Sequence, residues 1–392
     1  LYEAYKFQSI TPVKNLEDEY AGNVFSDIPN PMGKLYRNKD NQDKKSRLVG
    51  NLYAELHLFD GLMFKTSFGV DYNNLYRRSF SPKYDELNAS EKLSSLSNRN
   101  AWNFNWVFTN TLTYNKTFGD HTINALLGME SLRNRYEYFT ASRDGFPSDD
   151  PNFRFLDAGD VGTQKNSGAA TEYSMVSYFG KLDYNYHDRY LVAFTLRRDG
   201  SSRLGNNKWG NFPSVSVGWR FSDEKFMKFS KKFLEDGKIR ASFGITGNEA
   251  IGNYDYIYSY SPNSIYDGVG GVIPTRIGKD NLKWEETKQF NLGLDLNFWN
   301  SRLTITADYY DKYTDGLLAN YQLPKESGFA YMKTNVGEMS NRGFEIAVTG
   351  DIIRTKDWKW NASFNISRNI NRIEKLSEGK AYMEGDIWWM QE

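Results

Sequence analysis

The chain has 392 residues, with 49 Lys plus Arg against 49 Asp plus Glu, so no charge excess argues for a nucleic-acid partner. It contains no Cys, which excludes disulfides, thiol catalysis and Cys-ligated metals. Its 27 Tyr, 26 Phe and 10 Trp sit beside a mean hydropathy of −0.68, an aromatic bulk without a matching aliphatic core.

No apolar run reaches the length of a transmembrane helix. The opening LYEAYKFQSI has neither the basic nor the apolar region of a signal peptide, and the closing GDIWWMQE carries no terminating signal. Both ends read as cuts, so the chain is expected to be part of a longer protein.

Along the chain, period-two alternation dominates and helical periodicity is scarce. The pattern predicts twelve strands in six pairs. The first pair, 46–58 and 61–72, sets Leu48, Leu52, Leu56 and Leu58 on one face and turns at an Asp-Gly step. The second, 102–115 and 121–137, keeps Trp102, Phe104, Trp106, Phe108, Leu112 and Tyr114 in one parity. In the third, 175–186 and 189–199, Tyr178, Leu182, Tyr184 and Tyr186 continue as Tyr190, Val192, Phe194 and Leu196. The fourth is 212–221 and 238–246, where Val215, Val217, Trp219 and Phe221 alternate with Ser214, Ser216, Gly218 and Arg220. The fifth, 285–298 and 302–314, and the sixth, 341–352 and 357–369, repeat the pattern.

Turns within pairs are short, whereas polar loops at 73–101, 138–174, 200–211, 247–284 and 315–340 separate the pairs. Long alternating strands, short turns at one end and long loops at the other describe an outer-membrane β-barrel. One parity would face lipid; the other, with Lys181, Asp183, Asn185, Asp295, Asn297, Lys359, Asn361 and Asn365, would face a wet lumen. A soluble sandwich or propeller would have shorter strands and inward faces richer in Val, Ile and Leu. The one long connection on the short-turn side, 222–236, spaces Phe226, Phe229 and Phe233 among lysines and is expected to form a short amphipathic helix at the periplasmic interface.

Several phrases carry a resemblance: FGKLDYNYHDRYLVAFTLRRDGSSRLG (179–205), WGNFPSVSVGWRFSDEKFM (209–227), KIRASFGITGNEAIGNYDY (238–256), NLKWEETKQFNLGLDLNFWNSRLTITADYYDKYTDGLL (281–318) and NVGEMSNRGFEIAV (335–348), with FPSDDPN (146–152) upstream. In this order they resemble the SusC/RagA-like TonB-dependent outer-membrane transporters of the Bacteroidetes, over about residues 175–370. The resemblance implies a 22-stranded transmembrane antiparallel up-and-down barrel, all-β, of which about twelve strands lie within residues 1–392 as a section of a single barrel domain. It also implies an N-terminal plug with a TonB box and a SusD-like lipoprotein lid. Its implied activity is TonB-energised import of oligosaccharides or peptides through the Gram-negative outer membrane. The plug, the TonB box and the final strands are not among these residues.

Chemistry points the same way. The three His, at 57, 121 and 187, are far apart, and no catalytic or cofactor motif is present, so neither an enzyme nor a bound cofactor or metal is expected. The four Asp of SDDPNFRFLDAGD (148–160) do not follow EF-hand spacing and read as a solvated acidic loop. RRDGSSRLG and TGNEAIGNY read as loop architecture, the latter with turn residues suited to unusual backbone dihedrals. Trp209, Tyr254, Tyr256, Tyr258 and Tyr260 are the candidates for substrate contact in the loops, although the period-two tyrosines also read as a strand continuing above the membrane. Arg197, Arg220 and Arg240, on the lumen parity, are candidates for contact with a plug or an anionic substrate. A passive porin, an outer-membrane adhesin and a soluble carbohydrate-binding β-protein remain the alternatives.

Overall fold

A computed structural model describes residues 6–8 and 10–375; the closing GDIWWMQE and the first five residues of LYEAYKFQSI lie outside the described residues. The strands are β1 (Gln42–Phe59), β2 (Leu62–Ser81), β3 (Tyr84–Glu86), β4 (Ala89–Glu91), β5 (Ser95–Phe118), β6 (His121–Asp144), β7 (Lys165–Tyr186), β8 (Tyr190–Ser201) and β9 (Trp209–Arg220). They continue as β10 (Leu234–Asn248), β11 (Ser259–Tyr266), β12 (Val269–Arg276), β13 (Glu285–Phe298), β14 (Leu303–Asp315), β15 (Leu318–Gln322), β16 (Tyr331–Asn335), β17 (Glu338–Arg354) and β18 (Lys359–Lys375). One short helix, α1 (Pro31–Arg37), precedes them.

Twelve strands form one sheet in the order β1-β2-β5-β6-β7-β8-β9-β10-β13-β14-β17-β18, each beside its sequence neighbour in the sheet. All twelve predicted strands are present, and most are longer than predicted at the end next to a long loop. β5, for example, begins at Ser95 rather than 102, and β7 at Lys165 rather than 175. The other six strands are small hairpins inside the long loops: β3-β4, β11-β12 and β15-β16.

The register shows what the alternation is for. Val192, Val217, Ala241, Leu292, Tyr309 and Phe344 lie side by side across six strands, and Phe194, Val215, Phe243 and Phe290 form a parallel row. These side chains are not covered: Val192 is 43% exposed, Val215 43% and Val217 49%. A continuous exposed apolar face of this extent is incompatible with water as its solvent. Lipid is the environment in which it carries no cost. The opposite face carries Ala193, Ser216, Ser242 and Asn291 in one row and Gly218, Arg240, Gly293 and Asp308 in the next.

Two tryptophans bound the apolar face of β9, Trp209 at its start and Trp219 near its end. At about 3.3 Å per residue and a tilt near 40°, the ten steps between them project to about 25 Å along the membrane normal, the height of an outer-membrane apolar band.

The chain divides into two compact units. Unit 2 (Leu52–Phe68, Val107–Leu132 and Tyr173–Glu392) holds the registers described above. Its buried apolar cluster is not in the sheet centre but at the long-loop end, where Leu204, Phe212, Ile251, Leu282 and Trp284 meet. Unit 1 (Leu1–Asn51, Gly69–Trp106 and Arg133–Glu172) has its own small core of Phe80, Leu96 and Phe146. There Asn30 caps α1, and its backbone N–H donates to Glu86 at 2.6 Å; the same carboxylate takes Arg37 at 2.5 Å.

The connection between β9 and β10 holds the expected short helix, and its type is 3₁₀: two segments, Phe221–Asp223 and Lys225–Lys232. Phe226 and Phe229 are three residues apart, which suits three residues per turn, and no side chain caps the segment to favour an α-helix.

The two faces make a testable contrast. Val215→Lys places an ammonium on the lipid face between the two tryptophans and should cost about 2–4 kcal/mol in equilibrium unfolding from liposomes. Ser216→Lys, one residue on and on the other face, should cost clearly less. Equal losses would contradict the assignment of the faces.

Candidate functional site

Unit 2 forms a concavity of about 500 Å³ whose lining includes Lys181, Asp183, Asn185, Lys238, Arg240 and Asn291. All three candidate arginines stand on the inner parity of their strands, Arg240 lining this concavity, and all three are engaged by neighbours. Arg197 donates to Asp199 at 2.8 Å and to Ser177 at 2.8 Å, with Glu130 at 3.6 Å. Arg220 lies 3.2 Å from Asp236 and 3.9 Å from Asp223. Arg240 reaches Asp295 on β13 at 3.1 Å and Asp308 on β14 at 2.7 Å.

Arg240 spans two strands because the residue between them is Gly293. A Cβ there would lie 2.4 Å from the guanidinium carbon. Sequence reading places Arg240 and Asp295 on one face; Asp308 and the glycine slot require the register. Lys238 was not singled out by its sequence context, yet it lines the same concavity and has no ion pair among the described residues.

The five aromatic candidates do not act as one surface. Trp209 falls on the apolar parity of β9, stacks on Tyr178 with ring centres 6.2 Å apart, and carries the Arg198 guanidinium at 5.1 Å. That is the position of an outer-rim aromatic facing lipid. Tyr256 packs against the Leu204 cluster. Tyr254 adopts φ +67°, and its carbonyl accepts from Arg276 at 2.8 Å. Tyr258 and Tyr260 are exposed, and only Tyr260 lies in a strand, β11. Of the expected strand over 254–260 only Ser259 and Tyr260 are extended; residues 253–256 form a turn, which Asp255 closes by accepting from the Gly252 N–H at 2.8 Å.

Four of the recognised phrases meet in one place. Leu204 comes from RRDGSSRLG, Phe212 from WGNFP, Ile251 from TGNEAIGNY, and Leu282 with Trp284 from NLKWE. Phe212 and Trp284 pack edge to face at 5.2 Å, and Trp284 Nε1 donates to the Lys208 carbonyl at 2.9 Å. A Cβ on Gly210 or Gly247 would lie 2.4 or 2.2 Å from the Phe212 ring. Gly247 thus serves close approach, and the unusual dihedral expected in this phrase belongs to Tyr254.

Beside this cluster, Tyr173 donates to Glu249 Oε1 at 2.5 Å, and Arg203 lies 3.7 Å from the same oxygen. Burial raises the Glu249 pKa above the usual carboxyl range despite these two partners. In unit 1, the acidic loop uses its carboxylates as caps: Asp150 accepts from Asn152 N–H at 2.9 Å and Asp160 from Gly162 N–H at 2.8 Å. His121 contacts the Tyr184 hydroxyl at 2.8 Å, and His187 lies 3.1 Å from Asp120. Among the described residues no three His, Asp or Glu side chains converge as metal ligands.

Residues 3–384 match the family described as TonB dependent receptor-like, beta-barrel. The chain belongs to this receptor family. It is 35% identical to TonB-dependent receptor P39 of Formosa agariphila over 94% of this chain, and 32% identical to TonB-dependent receptor SusC of Bacteroides thetaiotaomicron over 95%. A chain of the RagAB peptide transporter superposes with a TM-score of 0.86 at 27% identity, covering 95% of this chain and 42% of that one. The receptor chain spans 35% and 37% of the length of P39 and SusC. It is thus a SusC-like and RagA-like outer-membrane β-barrel chain, as the resemblance implies.

Two outcomes follow from this geometry. Gly293→Val should push Arg240 off its two aspartates and lower stability by about 1–3 kcal/mol, the cost of stranding hydrogen-bonded polar groups. The same substitution should cost much less in an Asp295→Asn/Asp308→Asn background, a coupling that a double-mutant cycle measures. For Glu249, a folded pKa above the unfolded value means the stability it contributes is complete below the unfolded carboxyl pKa and is lost as pH rises through the folded one. Glu249→Gln keeps an acceptor for Tyr173 and should flatten that part of the pH–stability profile while raising thermal stability at neutral pH.

Proposed function

We propose that the full receptor carries out TonB-dependent active import of a bulky nutrient, an oligosaccharide or a peptide, together with a SusD-like surface lipoprotein. The observation that carries this reading is the two-faced wall: an exposed apolar belt on one strand parity and a parity of polar residues with paired charges on the other. The relatives support it, since one is named SusC and another belongs to a peptide transporter. In this reading the chain acts in transport and not as an enzyme, and energy reaches it from TonB through a plug segment.

The inner wall suits a polar plug. Arg197, Arg220 and Arg240 have wall carboxylates within ion-pair distance, so a plug surface would meet a balanced lining with Lys238 as an added cation. Among the loop candidates, Tyr258 and Tyr260 have the exposure that contact with a sugar ring or peptide requires.

Uptake of labelled oligosaccharides and peptides by cells carrying the full-length receptor tests the reading. Uptake should collapse when a protonophore removes the inner-membrane gradient. Uptake that persists at the same rate would indicate a passive porin, and surface attachment without uptake an adhesin.

A further inference from the structure

The 3₁₀ segment between β9 and β10 has a surface that neither the lumen nor the strand pairing uses. With three residues per turn, its side chains fall into rows. Lys225, Lys228 and Lys231 form one row, Phe226, Phe229 and Lys232 a second, and Met227, Ser230 and Phe233 a third. Ser230 is buried and Met227 half-buried, so these two seat the segment on the protein, while Phe233 at the end of their row is exposed. The outer rows are open: Phe226 is 62% exposed and Phe229 71%.

Of the local carboxylates, Glu224, Asp223 and Asp236 are engaged by other partners, and Glu235 accepts from Ser301 at 3.4 Å. Glu224 lies 3.2 Å from Arg189, accepts from Trp219 Nε1 at 3.1 Å, and also accepts from Tyr190; hydrogen bonds from Tyr190 and Trp219 hold its pKa below the usual range. Asp223 pairs with Lys231 at 3.1 Å, and Asp236 with Arg220 at 3.2 Å. Lys225, Lys228 and Lys232 are left exposed, with no ion pair among the described residues. The segment is also fixed in place: Trp299 N–H, in the next short turn, donates to the Phe233 carbonyl at 3.0 Å.

Its orientation follows from Trp219. That residue stands on the lipid-facing parity of β9, and the Phe226 ring lies 6.4 Å from it. The phenylalanines therefore extend the apolar belt past the strand end, with the lysines at headgroup height. We infer that residues 225–233 are a docking surface for anionic phospholipid headgroups, held by Lys225, Lys228 and Lys232 while Phe226 and Phe229 enter the acyl boundary. Charge complementarity and continuity with the belt select the bilayer as the occupant, in the manner of an interfacial basic amphipathic segment.

The test uses the full-length receptor in nanodiscs, with a fluorophore on Glu235→Cys as its sole cysteine, any cysteine outside residues 1–392 being replaced first. Quenching by headgroup spin-labelled phosphatidylglycerol should exceed quenching by the phosphatidylcholine analogue. Replacing the three lysines (K225Q/K228Q/K232Q) should weaken that preference by about fivefold per lysine, about a hundredfold in all. Lysine-to-arginine replacements should retain it. F226S/F229S should reduce quenching by acyl-chain labels while keeping the phosphatidylglycerol preference. Heat-modifiable mobility on gels confirms that each variant is folded. An unchanged preference in the glutamine variant overturns the proposal. So does absence of quenching by either lipid, which would point to a soluble acidic partner instead.

Discussion

Inside hydrocarbon there is no water to accept a backbone N–H, so each strand of this wall depends on its neighbour for every main-chain hydrogen bond. The sequence-ordered sheet from β1 to β18 meets that demand with short turns and no crossover. Side-chain burial does not hold this sheet together. Its central rows of Val, Phe and Leu are exposed, and the fully buried apolar side chains gather at the long-loop ends.

That redistribution explains the composition. A water-soluble fold would spend its aromatics on a core; this wall spends them on a lipid contact surface and its rims. Phe118, His121, Tyr184, Tyr186 and Tyr190 form a chain of ring contacts at the short-turn end. At the other end, Tyr178 and Trp209 stack. The small mouth core of Leu204, Phe212, Ile251, Leu282 and Trp284 then ties together loops that lie far apart in sequence. Four of the phrases that carry the family resemblance are in this sense packing instructions for the loops: together they contribute the five apolar side chains of this core.

The twelve wall strands were legible because lipid on one side and a polar interior on the other impose strict alternation over many residues. Legibility stops where that contrast stops. The outer ends of β5 and β7 carry polar residues on both faces, so Ser95 and Lys165 give no period-two signal. The hairpins β11-β12 and β15-β16 stand outside the wall and were missed for the same reason. The alternating tyrosines of 254–260 misled in the opposite direction, because a turn closed by Asp255 and a left-handed Tyr254 produce the same spacing. Inner-wall chemistry was half legible. Parity assigned Arg197, Arg220 and Arg240 to the polar face, but their partners depend on register and, for Arg240, on a missing side chain at Gly293.

The spacing of Trp209 and Trp219 on one face of β9 has a consequence for where such a wall is comfortable. Ten tilted residues give an apolar height of about 25 Å, below the roughly 30 Å hydrocarbon thickness of an average bilayer. Every ångström of excess acyl length would have to be met by thinning the surrounding lipid, at a fraction of a kcal/mol each. Hydrophobic mismatch therefore favours thin membranes, and the outer membrane is thinner than average. In this way the two indoles act as a thickness gauge, matching the strand to its bilayer.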